Sequence, residues 1–298
     1  PRKTPVRAWL KSQTAALMVI MLGVLILTIP PILMGVNMNG NASTAKEHAD
    51  ASLALRKKER ERILQRAREY NLRLAQDGQP VMGESVDPWN GDTASLSEQD
   101  TDYNTQLAKP RDGIIASINY PKLGISLPIR HGTGKHVLDS GAGHMYGTSL
   151  PVGGTNTHAV ITGHRGLVEA MMFTRLDEMH VGDYFYIEVM GRTLGYQVDR
   201  ISVIEPNDTS KLKIVPGEDR VTLMTCTPYG VNTHRLLVSA VRSPIPDVVP
   251  AEHDAAKDAR TIATTAAVVT LLLGLLLAWL RGRPWHIRRH AAWWPKRG

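Results

Sequence analysis

The chain has 298 residues, of which 43% are apolar and 21% charged, so it can form a folded domain with additional segments and is too apolar to be disordered throughout. Its net charge of +7 is typical of nucleic-acid-binding proteins, but residues 1–14 and 281–298 carry four and six basic residues without an acidic one. The chain between these tails is therefore net acidic, which excludes a general nucleic-acid binder.

An uncharged apolar run lies next to each basic tail, at residues 15–36 and 261–280. A helix needs about 20 apolar residues to cross a bilayer, so both runs are predicted to be transmembrane helices. Because Lys and Arg accumulate on the cytoplasmic side of membrane helices, we expect the tails 1–14 and 281–298 to be cytoplasmic. Residues 37–260 are then predicted to lie outside the cell membrane.

Each apolar run also has a second interpretation. The first could be a signal peptide that is removed, since it follows basic residues and Ser43–Ala45 is an acceptable cleavage site, although its length favours a retained signal anchor. The second could be a buried core helix, although the basic residues after it favour a membrane anchor.

An N-terminal helical region with a long loop is predicted for residues 37–111. Residues 44–76 are rich in Ala, Leu, Arg, Glu and Lys and contain no Pro or Gly, which indicates a helix. Residues 77–110 are polar and rich in Gly, Asp and Ser, which indicates a loop or linker. This loop contains the triplet Asp87-Pro88-Trp89.

Short apolar segments rich in Val, Ile, Thr and Tyr then alternate with Gly, Pro and Asn over residues 112–245. This pattern is typical of a β-barrel or a β-sandwich. A helical piece near 167–179 interrupts the predicted strands. Residues 246–260 are predicted to link this domain to the second apolar run.

The single cysteine, Cys226, lies in the predicted external domain and cannot form an intramolecular disulfide, so it is either a reactive thiol or a buried residue without chemistry. The strand pattern over 221–226, a turn over 227–234 and a returning strand place Cys226 and Arg235 at the two ends of one hairpin. A guanidinium beside a thiol favours the thiolate and can hold an oxyanion. Alternatively, Arg235 pairs with a surface carboxylate.

A cysteine nucleophile also needs a proton donor, which is usually histidine. Seven histidines lie between residues 131 and 234, and spacing alone does not select one of them. His164 ends the segment HAVITGH at a glycine-flanked corner, whereas His234 should point to the face opposite Arg235. No CxxC or HExxH spacing is present, so we expect no metal and no cofactor.

Three segments resemble class C sortases, the pilin-polymerising sortases of Gram-positive bacteria. TLMTCTPYGVNTHRLLV (222–238) is similar to their cysteine block, HAVITGHRGL (158–167) to their histidine block, and GHMYGTSLPVGG (143–154) to the segment before it. The resemblance covers about residues 112–242. One departure is Leu167-Val168, where many members have Leu-Pro.

The resemblance implies a mainly β fold: a closed eight-stranded sortase-type β-barrel with N-terminal helices and a lid, flanked by two transmembrane helices. It implies that His164, Cys226 and Arg235 are catalytic. It also implies that Asp87-Pro88-Trp89 is a lid, with Asp87 near Arg235 and Trp89 over Cys226. An ordinary turn is the alternative for this triplet.

The implied function is that of a membrane-anchored cysteine transpeptidase. It would cleave LPxTG-like sorting signals through a thioester acyl-enzyme and join pilin subunits by isopeptide bonds to an acceptor lysine. Its partners would be pilin subunits and the membrane, and no nucleic acid. The alternatives are a housekeeping-type sortase that attaches surface proteins to the cell wall, a papain-like secreted protease, and a non-enzymatic sensor in which Cys226 is inert.

Overall fold

The structure is a computed structural model that describes residues 6–83, 96–110, 113–167, 169–246 and 259–282. The chain divides into two compact units. One contains residues 30–256, and the other contains the segments before and after it.

Two long helices contain the predicted membrane runs. Helix α1 (Val6–Ala54) includes Pro30 and Pro31, and α6 is Ala259–Gly282. Within the described residues, α1 is the one helix long and apolar enough to cross a membrane, whereas the apolar stretch Thr265–Leu275 of α6 is shorter. The first anchor is therefore supported by length and composition, and the second stays a prediction.

The helix predicted over 44–76 is divided into two. Helix α1 ends at Ala54, and α2 (Lys57–Gln76) begins after a break at Leu55 and Arg56. The charged residues of α2 lie outside, whereas four apolar residues recur at helical spacing and join the main apolar core: Ile63, Leu64, Ala67 and Tyr70. Asn71 is also buried and bonds to the main chain of Leu150. Helix α2 thus packs through a single apolar stripe.

Three short helices complete the helical part: α3 (Leu96–Gln99), α4 (Thr101–Thr105) and α5 (Lys135–Asp139). The helical piece predicted near 167–179 is wrong. The described residues of this segment form turns and one 3-10 helix, Leu176–Glu178. Residues 170–176 are all buried, and Met172 and Phe173 belong to the main core.

Eight strands form a closed barrel, as the resemblance implies. Their bounds are β1 Ile114–Tyr120, β2 Ile125–His131, β3 Ala142–His144, β4 Thr157–Thr162, β5 Tyr184–Val189, β6 Arg192–Ile204, β7 Asp219–Thr227 and β8 His234–Arg242. Around the barrel the order is β1-β2-β3-β4-β7-β8-β6-β5. Neighbouring strands are antiparallel except for the parallel pairs β2–β3 and β4–β7. Strand β7 therefore lies between β4 and β8.

The two faces of β7 contact different apolar groups. Val221 and Leu223 belong to the main core, which fills the barrel. Met224 points to the other face of the sheet, because successive side chains of a strand alternate. There it packs in a smaller group, which we name the outer cluster: Met145, Val160, Ile204, Leu212, Met224 and Leu237.

Candidate active site

The barrel brings His164, Cys226 and Arg235 to one end of three neighbouring strands. Cys226 and Arg235 are directly paired residues of the antiparallel strands β7 and β8. On the other side, β4 runs parallel to β7 with Thr162 opposite Met224. Beyond the end of β4, the Gly163 amide still donates to the Met224 carbonyl oxygen at 3.1 Å, so His164 follows at the end of β7 that carries Cys226.

Cys226 and Arg235 lie on the face that carries the outer cluster. Cys226 lies two residues after Met224 and therefore projects to the same side of β7. Directly opposite residues of an antiparallel pair also share a face, with Cβ atoms about 4.5–5.5 Å apart. Cys226 is half-buried, so its side chain is partly accessible to solvent and lies next to the apolar residues of the outer cluster.

Arg235 is held by the turn that precedes it. Its side chain is buried, and Nη1 donates hydrogen bonds to the carbonyl oxygens of Asn232 and His234, at 3.2 Å each. His234 is exposed, in agreement with the alternation predicted from the sequence. The guanidinium is thus fixed next to Cys226 by main-chain acceptors.

The other candidate histidines have different surroundings. Three are exposed: His136, His180 and His234. His144 and His158 are fully buried, and burial lowers the pKa of His144 to about 3 and that of His158 to about 4. The ring nitrogens of His158 lie 2.8 Å from the Lys213 carbonyl oxygen and 2.7 Å from Thr222 Oγ1, so this histidine is structural.

His131, the remaining histidine, packs edge-on against the Tyr103 ring, with the ring centroids 4.6 Å apart. Burial lowers its pKa to about 4. It belongs to the contact between α4 and the barrel, because Tyr103 lies on α4 and His131 ends β2. His164, which follows β4 at the Cys226 end of β7, is therefore the candidate that remains of the seven histidines.

His164 is buried at the corner after β4, and its carbonyl oxygen accepts a hydrogen bond from the Phe173 amide at 3.0 Å. Its Nε2 lies 3.6 Å from Oδ1 of Asp139, the last residue of α5. Burial lowers the pKa of His164, and the Asp139 carboxylate opposes this effect. A histidine oriented by a carboxylate is a typical arrangement for proton transfer.

Asp139 was missed by the sequence analysis. Strand β3, the connection to β4 and β4 itself separate it from His164, and no spacing rule relates the two residues. Asp139 also pairs with Lys135 at 2.8 Å within α5, which partly neutralises its charge. Only the parallel pairing of β2 with β3, which sets α5 beside the β4 corner, could have indicated this contact.

Arg165 is the second residue that the sequence analysis missed, although it stands within the quoted histidine block. Its side chain is buried, and Nη1 lies 3.1 Å from Thr227 Oγ1 and 3.5 Å from the carbonyl oxygen of Cys226. It also forms an ion pair with Asp177 and lies over the ring of Tyr229. Arg165 therefore links the corner of β4 to the end of β7.

The predicted lid triplet Asp87-Pro88-Trp89 lies outside the described residues. The chain before it is held on the same face as Cys226. Gly83 donates its amide to the Tyr146 carbonyl oxygen at 2.7 Å, and Met82 packs against the outer cluster.

Comparison with known proteins identifies a Sortase domain at residues 118–243. Sortase C-1 from Actinomyces oris is 42% identical, with a TM-score of 0.57; the match covers 63% of this chain and 99% of that structure. A lid mutant of sortase A from Corynebacterium diphtheriae is also 42% identical, with a TM-score of 0.55 over 64% of this chain and 97% of that one.

Sortase A of Streptococcus agalactiae is 32% identical over 130 residues. That match covers 43% of this chain and 52% of the relative, so the chain spans about half the length of this curated protein. The matched region contains all of β2–β8 and the residues His164, Cys226 and Arg235. The closed barrel and these matches show that the chain belongs to the sortase family.

Proposed function

We propose that this sortase is a membrane-anchored cysteine transpeptidase of class C, which cleaves LPxTG-like sorting signals and joins pilin subunits. The observation that carries the proposal is the row formed by Arg235 on β8, Cys226 on β7 and His164 just after the end of β4. A thiol, a proton carrier and a fixed guanidinium are the groups that acyl transfer through a thioester requires.

In the first half-reaction, the Cys226 thiolate attacks the threonine carbonyl carbon of the Thr–Gly bond. The charge that develops on the carbonyl oxygen is stabilised by the N–H groups of Arg235. His164, as imidazolium, protonates the leaving glycine amine, so the C–N bond breaks and a thioester to Cys226 remains. The carboxylate of Asp139 at 3.6 Å supports the charged form of His164 in this step.

In the second half-reaction, the ε-amine of a pilin lysine attacks the thioester. Neutral His164 accepts the proton that the amine loses, the C–S bond breaks, and an isopeptide bond forms. The Cys226 thiolate and the His164 imidazolium are thereby regenerated. The membrane is the second partner, since α1 contains a segment that can anchor the enzyme near substrates held in the same bilayer.

Class C is favoured over a housekeeping-type sortase by two observations. The chain covers 99% of a structure named sortase C-1 at 42% identity. It also carries the Asp87-Pro88-Trp89 triplet, and the similar Corynebacterium diphtheriae structure is named a lid mutant. These observations support, for this chain, a polymerising enzyme whose cleft is covered in the resting state.

The position of the triplet along the chain is compatible with a lid over Cys226. Asp87 and Trp89 follow Gly83 by four and six residues, which can span up to about 13 and 20 Å. Met82 already contacts the outer cluster, which contains Met224, two residues from the thiol. We therefore propose that Asp87 pairs with Arg235 and that Trp89 covers Cys226.

The proposed topology places both termini in the cytoplasm and the barrel outside. The basic tails 1–14 and 281–298 support it through the positive-inside rule. We retain the boundaries 112–245 for the catalytic domain, which enclose β1–β8, and 246–260 for the linker. We also retain 261–280 as the second membrane helix.

The experiment uses the full chain in detergent with a synthetic LPxTG peptide, and intact mass spectrometry measures the acyl-enzyme. We expect the thioester with the parent protein, none with Cys226→Ala, and a loss of at least about 100-fold with His164→Ala. His234→Ala is the matched control, because it replaces an exposed histidine one residue from Arg235. Turnover by Cys226→Ala, or an inactive His234→Ala beside an active His164→Ala, would contradict the assignment.

The acceptor distinguishes the two kinds of sortase. After the acyl-enzyme has formed, a lysine-containing pilin domain and an amine that mimics the cell-wall precursor are supplied separately. A class C enzyme should form a pilin–peptide isopeptide bond, detected by tandem mass spectrometry. Transfer to the cell-wall amine alone would support the housekeeping alternative.

A further inference from the structure

Arg165 is a buried cation at the catalytic row that the three-residue mechanism does not use. Its side chain is 4% exposed, and it directly follows His164 in the chain. Its Nη1 reaches across to β7, where it contacts Thr227 Oγ1 at 3.1 Å and approaches the Cys226 carbonyl oxygen at 3.5 Å. One side chain thus contacts the nucleophile's own peptide from the corner that carries the histidine.

The hydrogen bonding of Arg165 is not the one expected for a purely structural arginine. Its Nη2 pairs with Asp177, but its Nε is buried and has no hydrogen-bond partner among the described residues. Buried donors are nearly always paired, because an unpaired donor has lost its contact with water without compensation. This arrangement indicates that the contact with the Cys226 peptide, and not complete hydrogen bonding of the guanidinium, determines where the Arg165 side chain lies.

The contacts of Arg165 also join the two loops that border the row. The chain from His164 to Asp177 follows β4, and the turn that contains Tyr229 follows β7. Arg165 pairs with Asp177 in the first loop, and its guanidinium lies 5.9 Å from the centre of the Tyr229 ring in the second. Displacement of this side chain would therefore release both loops together.

We propose that Arg165 is a positioning residue for the proposed transfer reaction: it fixes the Cys226 peptide relative to His164 and, with Asp177, sets the local charge that favours the thiolate. This proposal rests on the proposed function. It differs from the role of Arg235, which faces the substrate, because Arg165 acts through the main chain of the nucleophile.

The sign of the charge effect follows from the pair. Arg165 should stabilise a negative thiolate, and Asp177 should weaken that stabilisation. The other charged or titratable groups on the elements near the thiol are the same in the parent and in both variants, so they do not change the comparison. These groups are His164, Arg235, Asp139 and Lys135. Neutralising Arg165 should therefore make the thiolate form at higher pH, and neutralising Asp177 should make it form at lower pH.

Arg175 and Glu178 provide a matched control pair. Arg175 is also a buried arginine in the loop after β4, and it pairs with the partly exposed Glu178 at 2.7 Å. Its Nη1 donates to the Leu123 carbonyl oxygen, in the connection between β1 and β2. The control therefore reproduces the burial and the ion pair, with its main-chain contact on a different connection of the barrel.

The experiment measures the rate of Cys226 alkylation by iodoacetamide between pH 5 and pH 10 for Arg165→Met, Asp177→Asn, Arg175→Met and Glu178→Gln. We expect the pH midpoint to rise for Arg165→Met and to fall for Asp177→Asn, each by about half a pH unit. The control variants should keep the midpoint of the parent. Arg165→Lys, which keeps the charge but loses the fork, should keep most of the midpoint and still lower peptide turnover.

Peptide cleavage supplies the second readout. Arg165→Met should lower kcat by about 10-fold or more and leave KM within about twofold, because it disturbs the reacting groups and not substrate binding. Equal effects of Arg165→Met and Arg175→Met, or midpoint shifts of the same sign for Arg165→Met and Asp177→Asn, would overturn the proposal. Alkylation needs no substrate, so its result stands even if the parent cleaves no sorting peptide and the proposed function fails.

Discussion

Gly163, the residue before His164, has no room for a side chain. A Cβ at this position would lie 2.7 Å from Cδ2 and 2.8 Å from Cγ of Phe173. The glycine cannot retreat easily, because its amide donates to the Met224 carbonyl oxygen at 3.1 Å and its carbonyl oxygen accepts from Thr225 Oγ1 at 2.7 Å. Gly163→Ala should therefore displace the Phe173 ring.

The expected magnitude follows from packing. Phe173 is fully buried, and forcing one additional methyl group into a packed core typically costs about 1–3 kcal/mol. For a domain of this size, that corresponds to a decrease of about 2–12 °C in Tm. Because the Phe173 amide donates to the His164 carbonyl oxygen, the displaced ring should also move the histidine corner. We expect peptide turnover to fall more than Tm alone explains.

The assay combines thermal unfolding with peptide cleavage at a temperature well below the Tm of every variant. Gly134→Ala is the matched control, since a Cβ there meets nothing within 4 Å and the backbone is ordinary for an alanine. Phe173→Leu tests the cause, because the smaller side chain makes room for the new methyl group. The double variant Gly163→Ala/Phe173→Leu should be more stable than the sum of the two single losses predicts.

The reasoning is refuted if Gly163→Ala unfolds at the same temperature as Gly134→Ala and retains full turnover. Strict additivity in the double variant would also show that the Phe173 ring is not the obstacle.

Three further predictions concern the row itself. Asp139→Asn removes the carboxylate that raises the pKa of His164. The alkaline limb of the kcat profile, where the imidazolium is lost, should therefore move to lower pH, and an unchanged limb would show that Asp139 does not act on His164. Arg235→Lys keeps the charge but loses the planar fork, so peptide turnover should fall at least about 10-fold while Tm changes little. In the double variant Asp87→Ala/Trp89→Ala, Cys226 should react faster with a thiol reagent and peptides should be cleaved faster than in the parent. Labelling at the rate of the parent would show that the triplet is an ordinary turn and not a lid.

The sequence could predict one half of the row because that half is local. Cys226 and Arg235 are joined by a short turn, so strand alternation alone sets them on one face and opposite each other. The other half is not local, since β4 and β7 are parallel neighbours separated by β5 and β6 along the chain. His164 could therefore be selected only through the resemblance to a known family, and its neighbours Asp139 and Arg165 were missed.

The incorrect helix near 167–179 has a physical explanation. Apolar residues such as Phe173 and Leu176 are frequent in this segment, and without known tertiary contacts their density suggests a helix. In the fold residues 170–176 are buried without interruption, so the segment has no solvent-exposed face of the kind an amphipathic surface helix shows, and it forms turns. The Phe173 amide of this segment donates to the His164 carbonyl oxygen.

The register of β4 against β7 is what makes the row possible, and the core fixes that register. Ile161 and Leu223 are paired and both face the main core, while Thr162 and Met224 are paired on the face of the outer cluster. A slip of one residue would turn the buried set of one strand toward the wrong side, which both apolar groups resist. The same packing that stabilises the barrel thus fixes the position of the His164 corner relative to Cys226. A substitution in this core can lower turnover without contact with any reacting group.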